Sequence, residues 1–133
     1  MESVLLRQSR ILIIPYVPVS MNRQERMHWS KWHKEKQQWI NDIFFLLSEA
    51  GQIKIPMHRD HIWITKIIIY FEMIRTRDES NFEPIIIKPL LDALIYAKII
   101  DNDTEQYVSR PGRVDIEIDR KRPRTEVTLE WNT

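Results

Sequence analysis

Ile62-Trp63-Ile64-Thr65-Lys66-Ile67-Ile68-Ile69-Tyr70-Phe71-Glu72-Met73-Ile74 is the stretch that decides the fold. It is dense in β-branched and aromatic residues, which predicts one long strand. The run Ile67–Phe71 is apolar at every position, so both faces of this strand are expected to be covered, as in the centre of a sheet. The charged stretch Arg75–Glu83 closes it.

Working outward, Pro84 can open a helix, and Ile87, Leu90, Leu91, Leu94 and Ile95 recur at helical spacing through Ile85–Ala97. Pro89 lies inside that stretch. It marks either an interior position or the true first turn, with Ile85–Lys88 as a lead-in. On the N-terminal side, Ser30 is placed to cap a helix over Lys31–Ala50, whose Trp32, Trp39, Ile40, Ile43, Phe44 and Leu47 share one face, and Gly51 sits where a C-cap glycine belongs. Before it, Val17–Trp29 reads as a basic loop, and Arg10–Tyr16 as a first strand ended by Pro15 and Pro18. Toward the C-terminus, Val114–Asp119 and Thr125–Trp131 both alternate apolar and polar residues, and the basic turn Arg120–Arg124 between them predicts a hairpin. The expected order is β-α-β-α-β-β: an α+β fold, with two helices on a mixed β-sheet.

The chain has 133 residues, enough for one core and one domain over residues 1–133. There are no cysteines, so disulfides, thiolate-held zinc and thiol catalysis are excluded. Only two glycines occur, Gly51 and Gly112, too far apart for a glycine-rich phosphate loop. The apolar run Ile11–Ile14 is too short to span a membrane, so a cytoplasmic protein is expected. Net charge is +1, which gives no global basic field. The distribution is uneven. Arg23, Arg26, Lys31, Lys34 and Lys36 cluster before the first helix and in its first half. Arg110, Arg113, Arg120, Lys121, Arg122 and Arg124 cluster near the C-terminus, and the middle, Asp78–Asp103, is net acidic. Basic flanks around an acidic centre suit a protein that holds phosphates beside a metal; solvated charged faces are the plainer alternative.

Three features could carry that chemistry. Asp78 and Asn81 follow the end of the central strand and offer hard oxygen ligands of the kind Mg²⁺ takes. Asp101-Asn102-Asp103 forms a second polar turn after the second helix, and could complete an oxygen-lined site with Asp78 if the two loops meet. Lys88 stands four residues before Asp92. It is either a surface ion pair or a cation facing the acidic loop. Asp and Asn are also ordinary turn residues. His28, His33, His58 and His61 show no metal-ligand spacing and read as surface or structural histidines. Trp32 and Trp39 read as core. Trp29, in the basic loop, is a candidate DNA contact.

The ordered set Arg77-Asp78-x-x-Asn81, Lys88, Leu91-Asp92-Ala93-Leu94, Ile99-Ile100 and Asn102-Asp103 resembles the core of the RusA-like Holliday junction resolvase family. The segment Pro15–Asn22 is similar to that family's proline-rich turn leading to an asparagine. The resemblance implies a small homodimeric endonuclease that resolves four-way DNA junctions with Mg²⁺ in recombination and repair, of bacterial, often prophage, origin. It implies Asp78, Asn81, Lys88 and Asp103 as catalytic residues, with Asp78 and Asp103 holding the metal. DNA would be held by Asn22, Arg23, Lys31, Arg77, Arg110 and Arg113. Ser80 departs from the pattern, standing where the family has a second aspartate, and Asn102 replaces the first acid of an acidic pair. Glu79, Glu83 and Asp101 are the acids that could compensate. Without compensation, the implied protein is a junction-binding relative with weakened cleavage.

Overall fold

The computed structural model describes residues 6–48, 54–75 and 77–133. Along the chain run β1 (Arg7–Ile14), α1 (Met21–Arg26), α2 (Trp29–Ser48), β2 (Ile62–Phe71), a 3₁₀ turn (Glu79–Asn81), α3 (Glu83–Tyr96), β3 (Val108–Ser109), β4 (Asp115–Ile118) and β5 (Arg124–Asn132). The fold is α+β with a five-stranded mixed sheet.

β2 is the central strand, as its composition predicts. β5 pairs antiparallel along one edge from Ile62 to Tyr70 and continues the sheet to β1. β3 and β4 share the other edge, both parallel to β2: Val108 opposite Ile62 and Ile118 opposite Phe71. The expected C-terminal hairpin does not form. β4 and β5 take opposite edges of β2 instead, because a central strand needs ladder partners on both sides.

A β-bulge between Ile64 and Lys66 explains how β2 buries so many isoleucines on one face. Strict alternation would put Ile67 opposite to Ile64. The extra residue, Thr65, resets the phase, so Ile62, Ile64, Ile67, Ile69 and Phe71 are all buried while Thr65 and Lys66 are exposed. Only that face is buried. On the other, Trp63, Ile68 and Tyr70 are half-buried, with the Arg7 guanidinium over Trp63 and the Arg124 guanidinium over Tyr70, each 3.8 Å from the ring centre. The expectation of a strand covered on both faces is corrected accordingly. The all-apolar run reflects a bulge and cation-capped aromatics rather than two helical layers.

The core joins this sheet face to α2, through Trp39, Ile40, Ile43 and Leu47, and to α3, through Ile86, Leu90, Leu91 and Leu94. α3 starts at Glu83, with proline in its first turn, so Pro89 is interior and the lead-in reading of Ile85–Lys88 is not realised. α2 begins earlier than expected, and Ser30 lies inside it. His28 takes the capping place: its ring Nδ1 accepts from the Ser30 N–H at 3.2 Å, and its carbonyl accepts from Lys31 and Trp32. The basic loop contains the short helix α1, capped by the Ser20 hydroxyl accepting from the Arg23 N–H. The expected C-cap at Gly51 and the end of the first helix at Ala50 lie outside the described residues.

Candidate nucleic-acid interface

The C-terminal end of β2 is organised by Phe71. The Arg77 guanidinium lies 3.8 Å from the centre of its ring, and the Phe82 ring packs beside it at 5.3 Å. Arg77 Nη1 also donates to the Met73 carbonyl at 2.9 Å. The chain leaving β2 is thereby folded back on the strand end, and Asp78 caps the 3₁₀ turn. Asp78 Oδ1 accepts from the Ser80 hydroxyl at 2.7 Å and from the Ser80 N–H at 3.0 Å. These two bonds stabilise the ionised form and hold the Asp78 carboxyl below its ordinary range. Arg77 is shifted down, first by partial burial and then by the neighbouring Arg75.

Against this turn lies the segment before and within α1. A groove of about 400 Å³ runs between them, with Asn22 and Arg23 on one wall and Arg75, Arg77, Asp78 and Asn81 on the other. Two segments more than fifty residues apart in sequence, both singled out by the family resemblance, thus share one groove. Three arginines and one aspartate are among its lining residues. The excess of cationic side chains there would attract an anion, and the planar, fixed fork of arginine suits phosphate. Arg75 was not among the sequence candidates. Its signal was available: a second arginine two residues before Arg77, just past the end of the strand.

The other expected site residues fall elsewhere. Arg113 lies by the 3₁₀ turn, in a cleft with Glu79, Ser80 and Glu83, and its Nε is 3.2 Å from Asp115 Oδ1. Lys88 pairs with Asp92 at 3.3 Å, and Lys36 of α2 reaches the same carboxylate at 4.0 Å. The lysine therefore belongs to the surface between α2 and α3. Lys31 is exposed in the first turn of α2.

Asp103 is at the opposite end of the sheet, in an open cleft with Glu105, Ser109 and Arg110. Its turn leads into β3, whose Val108 is paired with Ile62 at the start of β2, and α3 runs back along the strand between Asp78 and Asp103. The ten residues of β2 span on the order of 30 Å. Mg²⁺ holds its ligands at roughly 2.1 Å. Asp78 and Asp103 of one chain therefore do not fit a shared metal ion. The reason is topological: a parallel strand–helix–strand crossover puts the loop entering its helix and the loop leaving it at opposite ends of the sheet.

Of the histidines, His61 bridges strand partners, its ring nitrogens lying 2.9 Å from the Gln106 carbonyl and 2.7 Å from the Ser109 hydroxyl. Among the described residues, no helix is long and apolar enough to cross a membrane. No family model matches the chain, and no curated protein matches it.

Proposed function

We propose that this protein binds DNA by its phosphates in the groove between α1 and the turn after β2, and that four-way junctions are its preferred substrate. The groove itself carries the reading: Arg23, Arg75 and Arg77 converge on one opening with Asn22 and Asn81, against the single carboxylate of Asp78. The junction preference comes from the resemblance to RusA-like resolvases, as do the homodimer, which would present two such grooves to the arms of one junction, and a cytoplasmic place of action. Ser80 bears on catalysis. Its hydroxyl and N–H both donate to Asp78 Oδ1, so the residue standing at the family's second aspartate satisfies the first one instead of adding charge. The reading favoured here is a junction-binding protein with weakened cleavage.

A second reading, Mg²⁺-dependent cleavage, is kept alive by Asp78 and Asn81 standing in the groove itself. It requires a further carboxylate beside Asp78, and the nearest acids expected to compensate, Glu79 and Glu83, line the neighbouring cleft with Ser80 rather than this groove. The deciding experiment is a labelled four-way junction titrated with protein, with and without Mg²⁺, beside Ser80→Asp. Salt-sensitive binding without strand cleavage is the expected result for the natural chain. Mg²⁺-dependent cleavage by the natural chain replaces the first reading with the second. Absence of binding at low salt sinks both. Ser80→Asp is expected to bind Mg²⁺ measurably tighter, because two carboxylates two residues apart then line the same turn.

A further inference from the structure

We propose that Trp29 is a stacking platform for an unpaired nucleobase at the DNA branch point, an inference that rests on reading the neighbouring groove as phosphate-binding. Trp29 is the first residue of α2 and is 73% exposed, whereas Trp39 of the same helix is buried. The His28 ring lies 5.9 Å away at a tilt of 30°, and His28 is itself fixed by the Ser30 hydroxyl and N–H at 2.7 and 3.2 Å. Two aromatic rings therefore stand side by side at the start of a twenty-residue helix.

The charge around them continues from the groove. α1, only six residues long, connects the two: Arg23 lines the groove, and Arg26 lies in the last turn of α1, three residues before Trp29. Lys31 and Lys34 follow, both exposed, and the first turns of α1 and α2 contain no acid. Glu25 and Glu35 are the acids of this stretch. A strand held by its phosphates at Arg23 and Arg26 would bring its next bases to the indole. A base inside a duplex has both faces covered by its neighbours, so Trp29 can stack only on an unpaired base or on one left uncovered at the branch. Stacking of this kind tolerates any base and is worth enough to change affinity about tenfold or more. The basic surroundings select a polyanion over an apolar protein partner.

The inference predicts a split between substrates. Trp29→Ala should weaken binding of oligothymidylate by about tenfold and leave a fully paired duplex unchanged, and its thermal unfolding should match the natural chain because the side chain is exposed. A junction carrying 2-aminopurine unpaired at the branch should change fluorescence on binding the natural chain and Trp29→Phe, and should not with Trp29→Ala. Equal loss on both substrates, or no loss on either, overturns the platform. Arg75→Ala with Arg77→Ala tests the underlying groove separately: it should weaken duplex and single strand alike. If that double variant binds duplex normally, the groove reading fails whatever Trp29 does; if it behaves as expected while Trp29→Ala is silent, the platform alone fails.

Discussion

Replacing Arg77 by alanine separates structure from the proposed recognition, because the side chain both holds the end of β2 and lines the groove. Its guanidinium covers the Phe71 ring at 3.8 Å and donates to the Met73 carbonyl at 2.9 Å. A cation–π contact at a partly exposed site is worth ~0.5–1 kcal/mol, and a hydrogen bond ~0.5–1.5 kcal/mol. Arg77 is half-buried, so the sum is taken low, at about 1–2 kcal/mol. For 133 residues, an unfolding entropy of roughly 2.1 cal/mol/K per residue gives ~0.28 kcal/mol/K, and hence a Tm lower by about 4–7 °C. Binding changes in a different variable. One lost phosphate contact lowers the salt slope of duplex affinity by ~0.9, so between about 50 and 200 mM salt the natural chain should lose roughly 3- to 4-fold more affinity than Arg77→Ala does. The assays are thermal unfolding by circular dichroism and fluorescence anisotropy with a labelled duplex over that salt range. Phe71→Leu is the control: it removes the ring beneath the guanidinium, so it should lower Tm while keeping the slope. A slope for Arg77→Ala equal to that of the natural chain, together with the expected drop in Tm, would refute the phosphate role and leave Arg77 as a clasp on the end of β2.

Two further outcomes are expected. Tyr16 packs edge-on against Trp39 at 4.8 Å and donates to the Asp42 carboxylate, and burial followed by that hydrogen bond pushes its phenol well above its ordinary value. Because the folded state retains a proton that the unfolded state releases, this stabilisation is complete below pH ~10 and is lost progressively as pH rises beyond it. Tyr16→Phe should cost about 1–2 kcal/mol in urea unfolding at pH 7 and should show a shallower loss of stability between about pH 10 and 11; parallel pH curves for the two chains would contradict the assignment. Ser80→Ala removes one of the two donors to Asp78, so the Asp78 carboxyl should titrate closer to its ordinary range in a ¹³C NMR pH titration. The sign follows from the depressed folded value: Asp78 stabilises the fold above its unfolded value of about 3.9 and loses that contribution as pH falls through the folded one.

The resemblance put the groove's residues within reach of the sequence and mistook the relation of its two ends. Arg77, Asp78, Asn81, Asn22 and Arg23 were all legible as candidates, and they line one groove. Asp103 was legible as a candidate too, but its distance from Asp78 was not, since spacing along a chain does not say which end of a sheet a loop reaches. Lys88 carried both an ion-pair and a catalytic reading, and its contact with Asp92 is the ion pair. Arg75 carried a sequence signal, a second arginine just past the strand, but its place in one groove with Arg23 depends on the tertiary fold.

What the sequence alone determined was local: a long strand over Ile62–Ile74, which the structure ends three residues earlier at Phe71, the helical spacing of both long helices, the alternation of the last two strands and the α+β class. Those follow from side-chain periodicity and turn chemistry, which act over a few residues. Tertiary structure decided that β4 and β5 flank β2 instead of pairing with each other, that Thr65 shifts the register, and that the basic N-terminal segment meets the Arg75–Asn81 turn while Asp103 stays at the far end of the sheet. Those depend on which strand edges and apolar faces find partners across the whole chain, and non-local pairing leaves no periodicity in the sequence to read.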